Sequence, residues 1–373
     1  MVRGQFAELL FVQRVSFMQT LLHVLSVHHI SKIRLLPYIF PLLKLLTRVH
    51  KMTVYGISYH TLTPDGKPTL ASGVVYVPCK GKPKGVIEVS PLTRSKIDCG
   101  TRDIMSPEVF PSMLGYVCII PDLIGCGVSE HLPIAYLQHE NVAIVASDMR
   151  QATEQFLLKE INLKLPRVSI LFGYSLGASG IWALARHYQL HPELDVHVSH
   201  IFAGGGAYYP EVVVRAFHKS RYSDYAIMPN IVYSMNYYDQ LNLDFTQMFR
   251  GPLLKHYQEW CQGKIPIPEL TEMLGTRLER YINFDFFSND NENYLRMMKA
   301  VAQKTIPEDW VPRAKVHLFH SRRDTYVPIA SFWALYGRLQ KCNASVSYHL
   351  VDYDHVPAAV PFEIEFIIFL MNR

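Results

Sequence analysis

Arg167–Gly180 reads RVSILFGYSLGASG, and the order of patterns within it decides the fold. Val168, Ile170 and Phe172 alternate with Ser169 and Leu171 in a short β-rich run. The run leads into Gly173-Tyr174-Ser175-Leu176-Gly177, after which Ala178, Ile181, Trp182, Leu184 and Ala185 recur at helical spacing. Strand, sharp turn and helix therefore follow one another. In that setting G-x-S-x-G has a physical meaning: a serine at a strained strand-to-helix turn has its hydroxyl pushed clear of the sheet, and flanking glycines let backbones pass closely. The helix that starts behind Ser175 aims free N–H groups and its positive dipole end at any oxyanion formed there.

Outward from this turn, strands and helices alternate. Val54–Tyr59 and Ala71–Val77 flank turn residues and read as an antiparallel hairpin. Gly85–Val89, Leu114–Ile120, Val198–Phe202, Val316–His320 and Ser345–Val351 are further strands, and Val142–Leu158, Ala330–Gln340 and Phe362–Met371 have helical periodicity. Continuous apolar strands between helices predict a mostly parallel sheet with helices on both faces, preceded by antiparallel strands. Residues 207–311 break the alternation with an aromatic-rich, mostly helical segment that reads as an inserted cap. The expected organisation is a core over 53–206 and 312–373, the cap over 207–311, and an apolar, basic extension over 1–50.

That extension carries Leu9, Leu10, Phe11, Leu21, Leu22, Leu42 and Leu43 among Arg3, Arg14, Lys32, Arg34, Lys44 and Arg48. No apolar stretch reaches the roughly 18 residues of a spanning helix. Four readings stand: an export signal, a basic amphipathic helix at a membrane surface, a helix packed on the core, or residues ahead of a start at Met52. A packed or membrane-associated helix, with an extracytoplasmic or membrane-bound location, is the expectation.

Composition narrows the function. The chain has 373 residues, 49% hydrophobic and 18% charged, with a net charge of +5, and its central part has no basic run with interleaved aromatics, so nucleic acid is not an expected partner. Six cysteines without a C-x-x-C pair argue against zinc and are too few for a disulfide framework, though a single bridge involving Cys99 or Cys126 is open.

A serine hydroxyl needs a base to take its proton and a carboxylate to orient that base. Asp324 follows the strand at Val316 and His355 the strand at Ser345, giving the order Ser, Asp, His. Asp352 and Asp354 are rival acids, but neighbours of His355 in a tight loop point apart. Asp122 reads as a tie for its own Asp-Leu-Ile-Gly turn, and His320 as a structural histidine. The oxyanion hole is expected from the backbone N–H of Leu176 with that of Leu92 or Thr93, because Pro91 has none.

These residues match a known pattern. GYSLG, SRRDTYVP and YDHVPAA resemble the α/β-hydrolase superfamily, and PDLIGCGVS looks like its loop after the fourth strand. The antiparallel start and long cap are similar to its secreted lipase/esterase branch, over roughly 53–373. The resemblance implies Ser175 as nucleophile, Asp324 as acid and His355 as base, with no metal or organic cofactor. Two departures stand out: Ser90-Pro91 where many members have His-Gly, and Leu176-Gly177-Ala178 where they often have Gln-Gly-Gly. The activity implied is hydrolysis of a small-molecule carboxylic ester through an acyl-enzyme. Acyl transfer, peptide cleavage using an acidic clamp from Glu269, Glu272 and Glu279, and a non-catalytic binding protein are the rival readings.

Overall fold

The computed structural model describes residues 2–16, 19–20, 51–105 and 107–373. Its strands are β1 (Phe6–Val15), β2 (Met52–Leu62), β3 (Pro68–Pro78), β4 (Val86–Ser90), β5 (Val117–Pro121), β6 (Val168–Tyr174), β7 (His197–Gly204), β8 (Lys315–Ser321) and β9 (Val346–Val351). Among the described residues they form one sheet in the order β1-β2-β3-β5-β4-β6-β7-β8-β9. The β1–β2, β2–β3 and β3–β5 pairs are antiparallel, and every pair from β5 onward to β9 is parallel.

Successive strand residues point to opposite faces, so a strand covered on both sides must be apolar throughout. Helices α1 (His139–Ile161), α2 (Leu176–Leu190) and α9 (Ile329–Lys341) cover one face, and α10 (Ala359–Met371) the other. Leu171, Ile201 and Leu318 pack with Trp182 and Phe332, whereas Phe172, Phe202 and Phe319 pack with Phe362 and Phe366. Phe172 stacks on Phe362 and Phe366 at ring-centroid distances of 4.8 and 4.4 Å. This two-sided burial is why the strands read as unbroken apolar runs.

Between β7 and β8 the chain leaves the sheet for α3 (Pro210–Ser220), α4 (Met228–Tyr238), α5 (Phe245–Met248), α6 (Gly251–Trp260), α7 (Ile267–Leu274) and α8 (Glu292–Gln303). These helices have their own core, in which Phe245, Phe249, Tyr281 and Phe286 are buried.

The helical expectation for the first residues fails at Phe6–Val15, which form an edge strand. It pairs with β2 from Phe6↔Tyr59 to Val15↔Met52, and Arg3 Nε donates to buried Asp148 at 2.9 Å. Register shifts between Phe6 and Glu8 and between Leu9 and Phe11 explain the misreading. Bulges break the two-residue alternation, leaving a blurred pattern that resembles neither period. Within the extension, residues 1, 17–18 and 21–50 lie outside the described residues. Among the described residues no helix is long and apolar enough to cross a membrane.

The α10 face of β7–β9 carries a directional histidine pair. Arg373 donates to His200 Nε2 at 2.6 Å, so His200 must carry its proton on Nδ1 and donate it to His317 Nε2 at 2.9 Å. His317 Nδ1 then donates to Ser347 Oγ at 3.0 Å. Burial and the nearby Arg373 charge push both imidazoles down to about 4. A histidine depressed in the folded state contributes stability that is complete above its unfolded pKa near 6.5 and is lost as the pH falls toward about 4. An NMR titration should therefore find both rings neutral at a pH of about 5.5, where a free imidazole is mostly charged. Two ordinary titrations would break this reading.

Candidate active site

Ser175 stands between the end of β6 and the start of α2 with φ +56° and ψ −120°, a conformation that costs a non-glycine residue energy. Its N–H is held by Gly204 O of β7 at 2.8 Å. The flanking glycines are needed for close approach. A Cβ on Gly173 would lie 2.4 Å from Gly177 O, and one on Gly177 would lie 2.2 Å from Ser90 O. Leu176 opens α2, so its N–H has no acceptor within the helix.

The second oxyanion candidates follow directly from β4. That strand ends at Ser90, whose carbonyl runs against Gly177, so the partly buried Leu92 and Thr93 continue from a segment already in contact with α2. Gly177→Ala should therefore push the two donor segments apart. The expected loss is about a hundredfold or more in kcat, the usual scale for one misplaced oxyanion donor. Steady-state hydrolysis of a nitrophenyl ester checks this, with circular dichroism to confirm that α2 is retained.

Asp324 and His355 come from the loops after β8 and β9. Asp324 Oδ1 accepts from the backbone N–H of Tyr326 at 3.0 Å and of Val327 at 2.7 Å, which leaves Oδ2 for His355 Nδ1 at 2.6 Å. His355 Nε2 lies 2.8 Å from Ser175 Oγ. The proton on Nδ1 is thereby assigned, and Nε2 presents its lone pair to the serine hydroxyl. All three side chains are buried, at 8% exposure for Ser175, 7% for Asp324 and 5% for His355. Residues 149 and 31 positions apart in sequence thus form one unbroken relay.

Solved structures share this arrangement of strands and helices. A protein of Legionella pneumophila assigned as a hydrolase superposes with a TM-score of 0.81 at 21% identity, covering 98% of each chain. LipA, the rice cell wall degrading esterase of Xanthomonas oryzae, gives 0.77 at 19% identity over 100% of this chain and 98% of its own. Candida antarctica lipase A in its closed state gives 0.64 at 10% identity over 98% and 83%. The fold is that of an α/β-hydrolase. No protein-family model and no curated protein matches the chain.

Within the α/β-hydrolase fold the helical insertion packs against the residue that follows Ser175. Ile227, Ile231 and Ile267 of the insertion pack in one cluster with Leu176 and Tyr136 of the core. Thr325 in the loop after β8 donates to Asp224 Oδ2 at 2.5 Å, and Lys96 N in the loop after β4 donates to Gly263 O at 2.8 Å. The insertion is therefore tied to both loops that flank Ser175.

The rival residues fall elsewhere. Asp352 and Asp354 are exposed, and Asp352 pairs with Arg322 at 3.1 Å. Asp122 reaches beyond its own turn: its Oδ2 accepts from Ser72 Oγ of β3 and Thr101 Oγ1 of the β4–β5 loop, both at 2.6 Å, and Ser72 Oγ accepts in turn from Val128 N of the Asp122 loop at 3.1 Å. Gly127 makes this junction fit, since a Cβ there would lie 2.3 Å from Asp122 Oδ2. His320 is fully buried, donates through Nε2 to Val327 O at 2.9 Å, and stands 3.8 Å behind Asp324. Desolvation lowers its pKa, in keeping with a neutral structural ring. Glu269 and Glu272 are exposed and Glu279 pairs with Arg221. All six cysteines are free thiols, with buried Cys99 and Cys126 hydrogen-bonded to one another.

Three contributors to the site were not expected from sequence. Ser321 accepts from Tyr353 N at 2.9 Å and donates to Tyr353 O, joining the loops that carry Asp324 and His355. Tyr174 donates to the carbonyl of His355 at 2.6 Å, and Tyr326 places its ring 5.1 Å from the His355 imidazole.

Proposed function

We propose that the protein is a serine hydrolase that cleaves carboxylic esters through an acyl-enzyme. The relay Asp324–His355–Ser175, with both hydrogen bonds at working length, is the observation that carries this reading. Ser175 Oγ attacks the ester carbonyl as its proton passes to His355 Nε2. The new C–O bond leaves a tetrahedral oxyanion facing the N–H of Leu176 and that of Leu92 or Thr93. Collapse breaks the bond to the leaving alcohol, which takes the proton from Nε2. Water then donates a proton to the same nitrogen, attacks the acyl carbonyl and releases the acid, returning Ser175 to its hydroxyl form. Asp324 keeps the imidazole in the required tautomer and stabilises the imidazolium that forms transiently. The apolar contact of Ile227, Ile231 and Ile267 with Leu176 favours acyl or aryl esters over highly polar ones.

A fluorophosphonate probe tests the nucleophile. The wild type should be labelled and Ser175→Ala should not, and a series of nitrophenyl esters of rising chain length then sizes the acyl pocket. A folded wild type that resists the probe would overturn the proposal.

A further inference from the structure

The glycines that end β7 and the tyrosine that precedes Ser175 take no part in the relay, yet the structure makes them one unit with the base. Tyr174 is the last residue of β6 and is peptide-bonded to Ser175. Its hydroxyl donates to His355 O at 2.6 Å, and its ring centroid lies 5.3 Å from that of the imidazole. Room for the ring comes from the neighbouring strand: a Cβ on Gly204 would lie 2.8 Å from Tyr174 Cδ2, and one on Gly205 would lie 2.8 Å from Cζ and 3.0 Å from the hydroxyl oxygen. Gly205 also has φ +59°, so both space and backbone demand glycine there.

We propose that Tyr174 is a positioning residue for the base. A single side chain, covalently joined to the nucleophile, holds the backbone of His355 and so sets the distance between Nε2 and Oγ. The proposal rests on the serine-hydrolase reading above. Asp324 holds the ring of His355, so the physical ground of the proposal is how its backbone is held. Asp352, Asp354 and Val356 around it are exposed, and only His355 of that stretch is buried. Ser321 anchors the loop two residues earlier, at Tyr353. The tie to the His355 backbone is the Tyr174 hydroxyl, with turn bonds from Ala358 N to Asp354 O and from Ala359 N to Val356 O on either side of it.

During the reaction the imidazole must turn from Ser175 Oγ to the leaving group and then to water, while its backbone stays still. A general base works only inside a hydrogen-bond window of about 2.6–3.2 Å, and a shift of about 1 Å can cost a hundredfold. Losing the phenol would also leave a buried carbonyl without its donor, which the loop can cure only by moving. Burial, reinforced by Asp324 and neighbouring tyrosines, raises the phenol's pKa well above its usual value, so it remains a donor throughout the working pH range.

Tyr174→Phe is the discriminating variant, because it keeps the packing against Phe362 at 5.5 Å and removes only the donor. The full chain and this variant would be compared in three readouts: the fluorophosphonate labelling rate, kcat and KM on a short nitrophenyl ester, and the downfield proton resonance of His355 Nδ1–H. Labelling rate and kcat should fall roughly tenfold with KM within about twofold, and the resonance should shift or broaden. A variant that labels as fast as the wild type with an unchanged resonance would overturn the positioning role, even if it melts at a lower temperature. A wild type that does not label would overturn the hydrolase reading instead, so the two failures are distinct.

Discussion

Asp324→Asn should lower kcat for ester hydrolysis by about ten-thousandfold while leaving the fold and KM nearly unchanged. The reason lies in how the two carboxylate oxygens are used. Oδ1 is fully engaged by two backbone N–H groups, at 3.0 and 2.7 Å, so the side chain cannot rotate without losing both. An amide that keeps its oxygen in that place must put its NH2 where Oδ2 stood. That group donates, so it faces His355 Nδ1 with a proton of its own and stabilises the tautomer carrying hydrogen on Nε2. The lone pair that takes the proton of Ser175 is then gone. Hydrolysis followed from pH 6 to 9, with fluorophosphonate labelling in parallel, would measure the loss. A fall of less than about tenfold would remove Asp324 from its role and return Asp352 and Asp354 to consideration.

Arg150→Met should destabilise the chain by about 3–5 kcal/mol, a large share of the stability of an ordinary domain. Glu88 lies in the middle of β4 and Arg150 in α1, both 2% exposed. Arg150 Nη1 donates to Glu88 Oε1 at 2.9 Å and to Ser169 Oγ of β6 at 2.8 Å, and Nη2 donates to Pro166 O at 2.7 Å. Ser169 Oγ and Tyr188 OH of α2 complete the carboxylate at 2.5 Å each. Removing the guanidinium strands a buried negative charge against two hydroxyls. Replacing both partners, as Glu88→Leu with Arg150→Met, removes the charge as well and should cost far less than the single change. Urea unfolding of the two variants separates these cases. Equal losses would mean that packing, not charge, is what Arg150 supplies.

The network also matters for the site, because it joins the strand that leads to Ser175, the strand that leads to Leu92 and Thr93, and both helices beside them. In the sequence Glu88 is a charged residue inside an apolar strand. Its partner, 62 residues later on a helix, is not legible there.

Most of the sheet was legible because period and length are local properties. The strands at Val86, Val117, Val168, His197, Lys315 and Val346 and the helices after them follow patterns that need only neighbouring residues to be recognised. Phe6–Val15 was misread because two bulges scramble the alternation and an edge strand buries only part of one face. Asp122 lies outside the hydrogen-bonded chain of Asp324, His355 and Ser175, and its bonds run to Ser72 and Thr101 in other segments. Tyr174 lay inside the quoted motif, where its role was invisible because its partner is the backbone of a residue 181 positions away.

By itself, then, the sequence determined the order of strands and helices, the turn that carries Ser175, and the position of Asp324 and His355 in the loops after later strands. Each of these follows from short-range periodicity and from the rule that side chains at the carboxyl ends of parallel strands share one edge of the sheet. Only the tertiary structure decided what surrounds them: the edge strand β1, the contact of Ser90 with Gly177, the buried Glu88–Arg150 pair, the insertion over Leu176 and the tie from Tyr174 to His355. These depend on segments far apart in the chain meeting within a few ångströms, and such distances are set by how layers pack, which no local pattern records.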